Sequence, residues 1–97
     1  MFQIKKTEYF SKWHDGLKDG RARAKVNLRI EQTKLGNFGD FKFIDDGIYE
    51  MRIHYGPGYR IYYTKEDDVV VLLLVGGDKT TQQKDIEKAK ELKNEKT

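Results

Sequence analysis

The sequence contains no cysteine, and this absence removes several kinds of protein at once. Disulfide-stabilised scaffolds, catalytic thiols and zinc sites built on cysteine are excluded. Ser11 is the only serine, and it does not lie in the sharp strand-to-helix turn of a serine nucleophile. The two histidines, His14 and His54, have no acidic partner at the spacing of metal ligands. We therefore expect neither a metal site nor a cofactor.

Long apolar runs are also missing. The longest, Val69–Val75, is too short to cross a bilayer, and Met1–Lys6 has no apolar stretch typical of a secretion signal. We therefore expect a cytoplasmic protein that makes no membrane contact. With 97 residues the chain suits one domain over residues 1–97, and this length can bury a core without disulfides or metals.

Charged residues are plentiful, and their distribution is uneven. The chain carries 19 Lys and Arg against 16 Asp and Glu, a net charge of +3. Residues 1–64 hold 12 basic and 8 acidic residues, a net charge of +4, whereas residues 65–97 hold 7 and 8, a net charge of −1. The positive excess lies in Lys18–Lys34. Such a segment suits a polyanionic partner, and a solvated helix face explains it equally well.

Helical periodicity is found in the first third of the chain. Phe2–Lys5 can form a short strand. Thr7 is a candidate N-cap for a first helix, which should end at Leu17 or Lys18. A second helix is expected over Arg21–Lys34. One of its faces carries the apolar or small residues Ala22, Val26, Ile30 and Thr33.

Alternating patterns follow and predict a sheet. Strands are expected over Phe41–Ile44, Ile48–Tyr55, Tyr59–Thr64 and Val69–Val75, with turns at Asp45–Gly47, Gly56–Gly58 and Lys65–Asp68. The last strand is continuously apolar, so it should be buried on both faces. Thr80–Gln83 fits a capping box that opens a final helix, which should fray over Asn94–Thr97. This helix is expected to dock through Ile86, Ala89 and Leu92.

The hairpin around Gly56–Gly58 carries the candidate chemistry. A three-residue loop would place His54 opposite Arg60 on the next strand. The even positions then form an open polar face made of Glu50, Arg52, His54, Arg60 and Tyr62. Arginine pairs bind phosphate oxygens, histidine moves protons near neutral pH, and tyrosine can stack on a base. A solvent-exposed ion pair between Glu50 and Arg52, without any chemistry, is the alternative.

Gly76–Lys79 is a second candidate for anion binding. The segment is expected to leave the sheet and to precede a helix N-terminus, where free N–H groups attract anions. Its residue order is not that of a P-loop, and a plain strand-to-helix connection explains it equally well.

Several blocks, in their order along the chain, are similar to one family of proteins. They are Gly36–Asp40, Glu50–Ile53, Gly56–Tyr63, Leu73–Lys79, Thr81-Gln82 and Asp85-Ile86. Together they resemble the RelE/ParE toxin superfamily, and within it the HigB-like addiction module killer group related to phage Gp49-like proteins. The resemblance implies an α+β fold: a short strand, a helical hairpin, then a curved antiparallel sheet with a C-terminal helix. It also implies a toxin that inhibits growth, paired with an antitoxin that is expected to be a helix-turn-helix protein encoded next to it.

The resemblance further implies an activity and a set of site residues. Many relatives are mRNA interferases, in which the RNA 2′-hydroxyl attacks the adjacent phosphate on a ribosome-bound message without a metal. By motif position, the implied catalytic residues are Arg52, Arg60 and Lys79. The polar face of the hairpin adds His54 and Glu50 as candidates for proton transfer. Candidate RNA-binding residues are Lys42, Tyr62, Arg23, Lys25 and Arg29.

The chain also departs from the family pattern. The best-known ribosome-dependent relatives have a pair of lysines where this chain has Glu50 and Arg52. They also have a C-terminal tyrosine where this chain has Lys84–Ile86. Either Glu50 or His54 would then carry out the proton transfer, or the cleavage mechanism differs from that of these relatives. A ParE-like branch poisons DNA gyrase and has no nuclease site, so a non-enzymatic inhibitor of gyrase or of another housekeeping target is the alternative function.

Overall fold

The computed structural model describes residues 1–95, which form a mixed sheet and three α-helices. In chain order the elements are β1 (Gln3–Lys6), α1 (Glu8–Asp15), α2 (Gly20–Lys34), β2 (Phe41–Asp45), β3 (Ile48–Ile53), β4 (Tyr59–Lys65), β5 (Val70–Asp78), a 3₁₀ turn (Lys79–Thr81) and α3 (Gln82–Glu95). The predicted α+β class is confirmed, and the predicted elements occur in the predicted order. Lys96 and Thr97, part of the segment expected to fray, lie outside the described residues.

The strands form one sheet in the order β1-β5-β4-β3-β2. β1 runs parallel to β5, and the other neighbouring pairs are antiparallel. β5 therefore lies between β1 and β4, and it is buried from Val70 to Gly77. This burial confirms what its continuous apolar run predicted.

Helices pack against both faces of the sheet. On one face, Phe10 of α1 and Val26 of α2 contact a core that includes Ile61 of β4. On the other face, Ala89 of α3 packs against a cluster that includes Tyr62. The predicted buried side of α2 is confirmed, since Ala22, Val26, Ile30 and Thr33 are all buried. In residues 1–95, no helix combines the length and the apolar character that a membrane span needs.

Side-chain caps fix where α1 and α2 begin. Thr7 accepts a hydrogen bond from the Phe10 N–H at 2.9 Å, as predicted. Asp19 accepts the Arg21 N–H at 2.9 Å and the Tyr55 hydroxyl at 2.9 Å. The first helix was expected to end at Leu17 or Lys18, but it ends at Asp15, and Asp19 is the N-cap of the next helix. Asp19 also ties that helix to the β3–β4 hairpin.

The loop between β3 and β4 is longer than predicted, which changes the pairing but not the faces. The Gly58 N–H donates to the Tyr55 carbonyl at 3.0 Å, so the chain turns before the predicted position. The pairing of β3 with β4 therefore ends at Ile53 and Tyr59. Arg52 therefore pairs with Arg60, and the predicted pairing of His54 with Arg60 is wrong. Because the pairing shifts by an even number of residues, each strand residue keeps its predicted face.

β5 continues through Gly76 and Gly77, which were predicted to leave the sheet. Gly77 pairs with Arg60 of β4. The Trp13 ring lies against Gly76 on one face and the Asp85 carboxylate lies against Gly77 on the other, so a Cβ on either glycine would overlap them. The glycine pair therefore reflects close packing on both faces of one strand.

The 3₁₀ turn and α3 begin with a different cap from the one predicted. The Asp78 carboxylate accepts the Thr80 N–H at 2.8 Å, and Thr81 Oγ1 accepts the Asp78 N–H at 3.3 Å. The predicted capping box over Thr80–Gln83 is therefore wrong by about half a turn. Because Asp78 already binds the Thr80 N–H, that group is not open to an external anion.

Candidate functional site

Cationic side chains meet where the β3–β4 hairpin reaches the end of β5. Arg52 and Arg60 lie directly opposite each other. A cleft of about 420 Å³ at the hairpin tip is lined by Arg60, Lys79 and His54, together with the loop Tyr55–Gly58. The fold thus brings Lys79 to the hairpin, as the antiparallel pairing of β4 with β5 requires.

Glu50 is buried beside the arginines. The prediction that it belongs to an open polar face is therefore wrong. Its side chain is 2% exposed. It accepts hydrogen bonds from Arg52 Nε at 3.0 Å and from Gln82 Nε2 at 3.3 Å, and it lies 3.8 Å from Arg60 Nε. The physical reason is α3, which supplies Gln82 and packs against this face of the sheet.

The electrostatics of Glu50 suit a counter-ion better than a general base. Burial acts to raise the pKa of Glu50, but the hydrogen bonds from Arg52 and Gln82 and the charge of Arg60 outweigh it and lower that pKa. In turn, the hydrogen bond to Glu50 raises the pKa of Arg52. Glu50 is therefore ionised at neutral pH and is the counter-ion of Arg52 and Arg60.

Tyr62, predicted to stack on an RNA base, is fully buried. It packs in the same cluster as Leu74 and Ala89, beneath α3. Burial, and then the nearby Glu50 carboxylate, raise the pKa of Tyr62, so its hydroxyl stays protonated. Since α3 occupies this face, Tyr62 offers no surface on which a base could stack.

His54 forms a pair that the sequence did not reveal. Its Nε2 lies 2.5 Å from Oδ2 of Asp40, and this hydrogen bond is the main cause that lowers the pKa of Asp40. Because the ionised carboxylate can only accept, Nε2 donates this hydrogen bond, and Nδ1 is the ring nitrogen left to accept a proton from a substrate. The His54 side chain is 72% exposed, so a substrate can reach it.

Arg29 holds this part of the site together from inside. Its guanidinium donates to the carbonyls of Phe38 at 2.9 Å and Asp40 at 3.2 Å, and also to the carbonyl of Arg52. The Arg52 N–H donates to the Asp40 carbonyl at 2.9 Å, which continues the β2–β3 pairing. Arg29 was a candidate RNA contact, but the structure shows its guanidinium engaged with backbone carbonyls.

A second cleft of about 190 Å³ also borders His54. Its lining includes Lys25, Leu28, Asp40, Arg52, Ile53 and His54. The Lys25 ammonium also lies over the Tyr55 ring, 5.3 Å from its centroid. The α2 helix thereby brings one of the candidate RNA-binding lysines to the site.

Two further candidates lie away from both clefts. Arg23 donates to the Leu17 carbonyl and so supports the α1–α2 connection. Lys42 is exposed on the edge strand β2, opposite Glu50 in the register. Their roles in RNA binding stay predictions.

Known proteins resemble this chain over almost its whole length. Residues 8–94, which include every residue lining both clefts, match the family model described as phage-derived protein Gp49-like (DUF891). A relative from Haemophilus influenzae (strain ATCC 51907 / DSM 11121 / KW20 / Rd), described as an uncharacterized protein, is 53% identical over 93 residues. That alignment covers 96% of this chain and 94% of the relative. The chain therefore belongs to the Gp49-like family of phage-derived proteins.

Proposed function

We propose that this protein is the toxin of a type II toxin–antitoxin pair and a metal-independent endoribonuclease that cuts ribosome-bound mRNA. Membership of the Gp49-like family fits such a toxin. The observation that carries the nuclease proposal is the grouping of Arg60, Lys79 and His54 around one cleft, with Arg52 opposite Arg60. These residues provide what phosphodiester cleavage needs, namely fixed positive charge and a proton acceptor.

The proposed reaction is attack by the RNA 2′-hydroxyl on the adjacent phosphate. Arg52 and Arg60 stabilise the charge that builds up on the phosphate oxygens. His54 Nδ1 accepts the proton of the 2′-hydroxyl, and Asp40 stabilises the resulting imidazolium. The O2′–P bond forms as the P–O5′ bond breaks, and Lys79 donates a proton to the departing 5′-oxygen. The products are a 2′,3′-cyclic phosphate and a 5′-hydroxyl.

This mechanism accommodates the departures from the family pattern. The Lys84–Ile86 segment has no tyrosine, and its Asp85 is buried and accepts the Thr81 hydroxyl. The pair of His54 and Asp40 supplies the proton acceptor in its place. Burial of Glu50 also removes an acidic group from the surface that RNA would meet.

Non-enzymatic inhibition of DNA gyrase is the second candidate function. Phe41 and Phe43 are 51% and 54% exposed on the edge strand β2. Exposed aromatic side chains on an unpaired strand edge suit a protein partner. This observation supports a binding function.

Induction in cells distinguishes the two candidates. Messages are mapped by primer extension after induction, and the purified protein is added to a gyrase supercoiling assay. The proposal predicts new ends within translated messages and unchanged supercoiling. Intact messages together with inhibited supercoiling would replace it with the gyrase alternative.

A further inference from the structure

One buried carboxylate is shared by two arginines on neighbouring strands. Arg52 and Arg60 lie opposite each other, and like charges in that arrangement repel. Glu50 accepts the Arg52 Nε–H at 3.0 Å and lies 3.8 Å from Arg60 Nε. One carboxylate thus compensates only one of the two guanidinium charges. The cluster of Glu50, Arg52 and Arg60 therefore keeps a net positive charge and can bind a further anion.

The contacts with Glu50 use the Nε side of each guanidinium. Within residues 1–95, no hydrogen bond engages the terminal nitrogens of Arg52 or Arg60. Arg60 is 12% exposed, and its buried Nε has no hydrogen-bond partner within residues 1–95, so its contact with Glu50 is the 3.8 Å ion pair. Its Nη1 lies beside Gly58, at the cleft in which we propose that the phosphate binds.

Gln82 fixes the carboxylate from the opposite side. As the first residue of α3, it donates to Glu50 Oε2 at 3.3 Å, while Arg52 donates to Oε1. Both oxygens are therefore engaged, one from β3 itself and one from α3. The carboxylate cannot rotate without breaking one of these contacts.

We propose that Glu50 is a positioning residue, which accepts a hydrogen bond from Arg52 Nε, forms a longer ion pair with Arg60 Nε, and so directs the terminal nitrogens of both arginines at one phosphodiester group. The inference rests on the proposed nuclease function, because that function supplies the phosphodiester. Guanidinium groups held in a fixed direction match the two unesterified oxygens of one phosphate. Glu50 itself does not touch the substrate.

Positioning and simple charge attraction predict opposite results when Glu50 is replaced. Glu50→Gln removes a negative charge, so general attraction predicts tighter RNA binding and no slower cleavage. Positioning predicts slower cleavage despite the added positive charge. Glu50→Asp keeps the charge but withdraws the carboxylate by one methylene, so only positioning predicts a loss there.

The test compares kcat and KM on one RNA substrate for the parent, Glu50→Gln, Glu50→Asp and Asp45→Asn. Circular dichroism and thermal melting first establish which variants are folded. Asp45 is the matched control because it forms an exposed ion pair with Lys90 at 2.9 Å and lines neither cleft. We expect kcat to fall on the order of 10- to 100-fold in both Glu50 variants, with KM little changed and Asp45→Asn at the parental rate. Parental kcat in folded Glu50→Asp, or an equal loss in Asp45→Asn, would overturn the inference.

Titration with inorganic phosphate tests positioning independently of cleavage. The NMR signals of the Arg52 and Arg60 side-chain Nε–H groups should shift together in the parent, and this joint shift should be lost in Glu50→Asp. A joint shift in a parent that cuts no RNA would refute the nuclease proposal and support the positioning role. RNA cleavage without any joint shift would refute the positioning role and leave the nuclease proposal intact.

Discussion

His54 is oriented by Asp40, a residue 14 positions away in the chain. The ionised Asp40 accepts the Nε2 proton, so the ring presents Nδ1 as the acceptor. Arg29 in turn holds the Asp40 backbone by donating to the carbonyls of Asp40 itself, Phe38 and Arg52. The sequence identified His54 by its residue type. It could not show that Asp40 and Arg29 orient His54, because these residues are far apart in the chain and come together only in the folded protein. One feature of the sequence could have indicated it. The predicted turn at Asp45–Gly47 pairs position 40 with position 52, which brings Asp40 close to His54.

Asp40→Asn should slow RNA cleavage by roughly 10²-fold or more, as should His54→Gln. The amide introduced by Asp40→Asn would donate to Nε2, which reverses the ring tautomer and leaves Nδ1 protonated. Single-turnover cleavage of ribosome-bound message measures the effect, with the exposed Asp15→Asn as control. Parental rates in both Asp40→Asn and His54→Gln would remove this pair from proton transfer.

At the scale of elements, the site depends on how β3, β4 and β5 end. Alternating patterns predicted the strands and their faces, because one face is apolar and period two fixes which side chains share it. They could not predict the length of the loop before Tyr59, which depends on the hydrogen bond from Gly58 to Tyr55. Nor could they show that α3 buries Glu50, since burial depends on a helix more than thirty residues later in the chain.

Gly77→Ala should destabilise the protein by about 1–3 kcal/mol, since the new Cβ would overlap the Asp85 carboxylate and push α3 from the sheet. Urea unfolding monitored by circular dichroism measures the change. Gly20→Ala is the matched control, because its Cβ meets nothing closer than Arg23 Nη2 at 3.9 Å and alanine favours the helix. Equal stability of Gly77→Ala and the parent would show that α3 shifts at no cost.

At the scale of the whole molecule, the structure shows where the positive charge of the sequence lies. The basic helix α2 lies beside the hairpin, tied to it by the Tyr55 hydroxyl on Asp19 and by Lys25 over the Tyr55 ring. The charge pattern suited either a polyanion-binding segment or a solvated helix face, and the hairpin pattern suited either a phosphate site or an exposed ion pair. The sequence did not show that the two are adjacent, because their contact is tertiary.

An antitoxin that covers the hairpin and the Lys18–Lys34 segment should associate faster at low ionic strength. Long-range attraction by the net +4 of residues 1–64 accelerates encounter, and salt screens it within about 10 Å at 0.1 M. Stopped-flow mixing of the toxin with its antitoxin, over a series of salt concentrations, measures the association rate. A rate that does not change with salt would contradict an electrostatically guided interface.

The chemical ends of the cut RNA test the central claim most directly. Purified protein is incubated with ribosome-bound message in the presence of a metal chelator, and the termini are identified. We predict 2′,3′-cyclic phosphate and 5′-hydroxyl ends, with cleavage slowed on the order of 10²–10³-fold in Arg60→Ala. Lys6→Ala, which removes the same charge outside both clefts and outside the Lys18–Lys34 segment, should cut at the parental rate. Terminal 5′-phosphates, or a message left intact by the folded parent, would contradict the account.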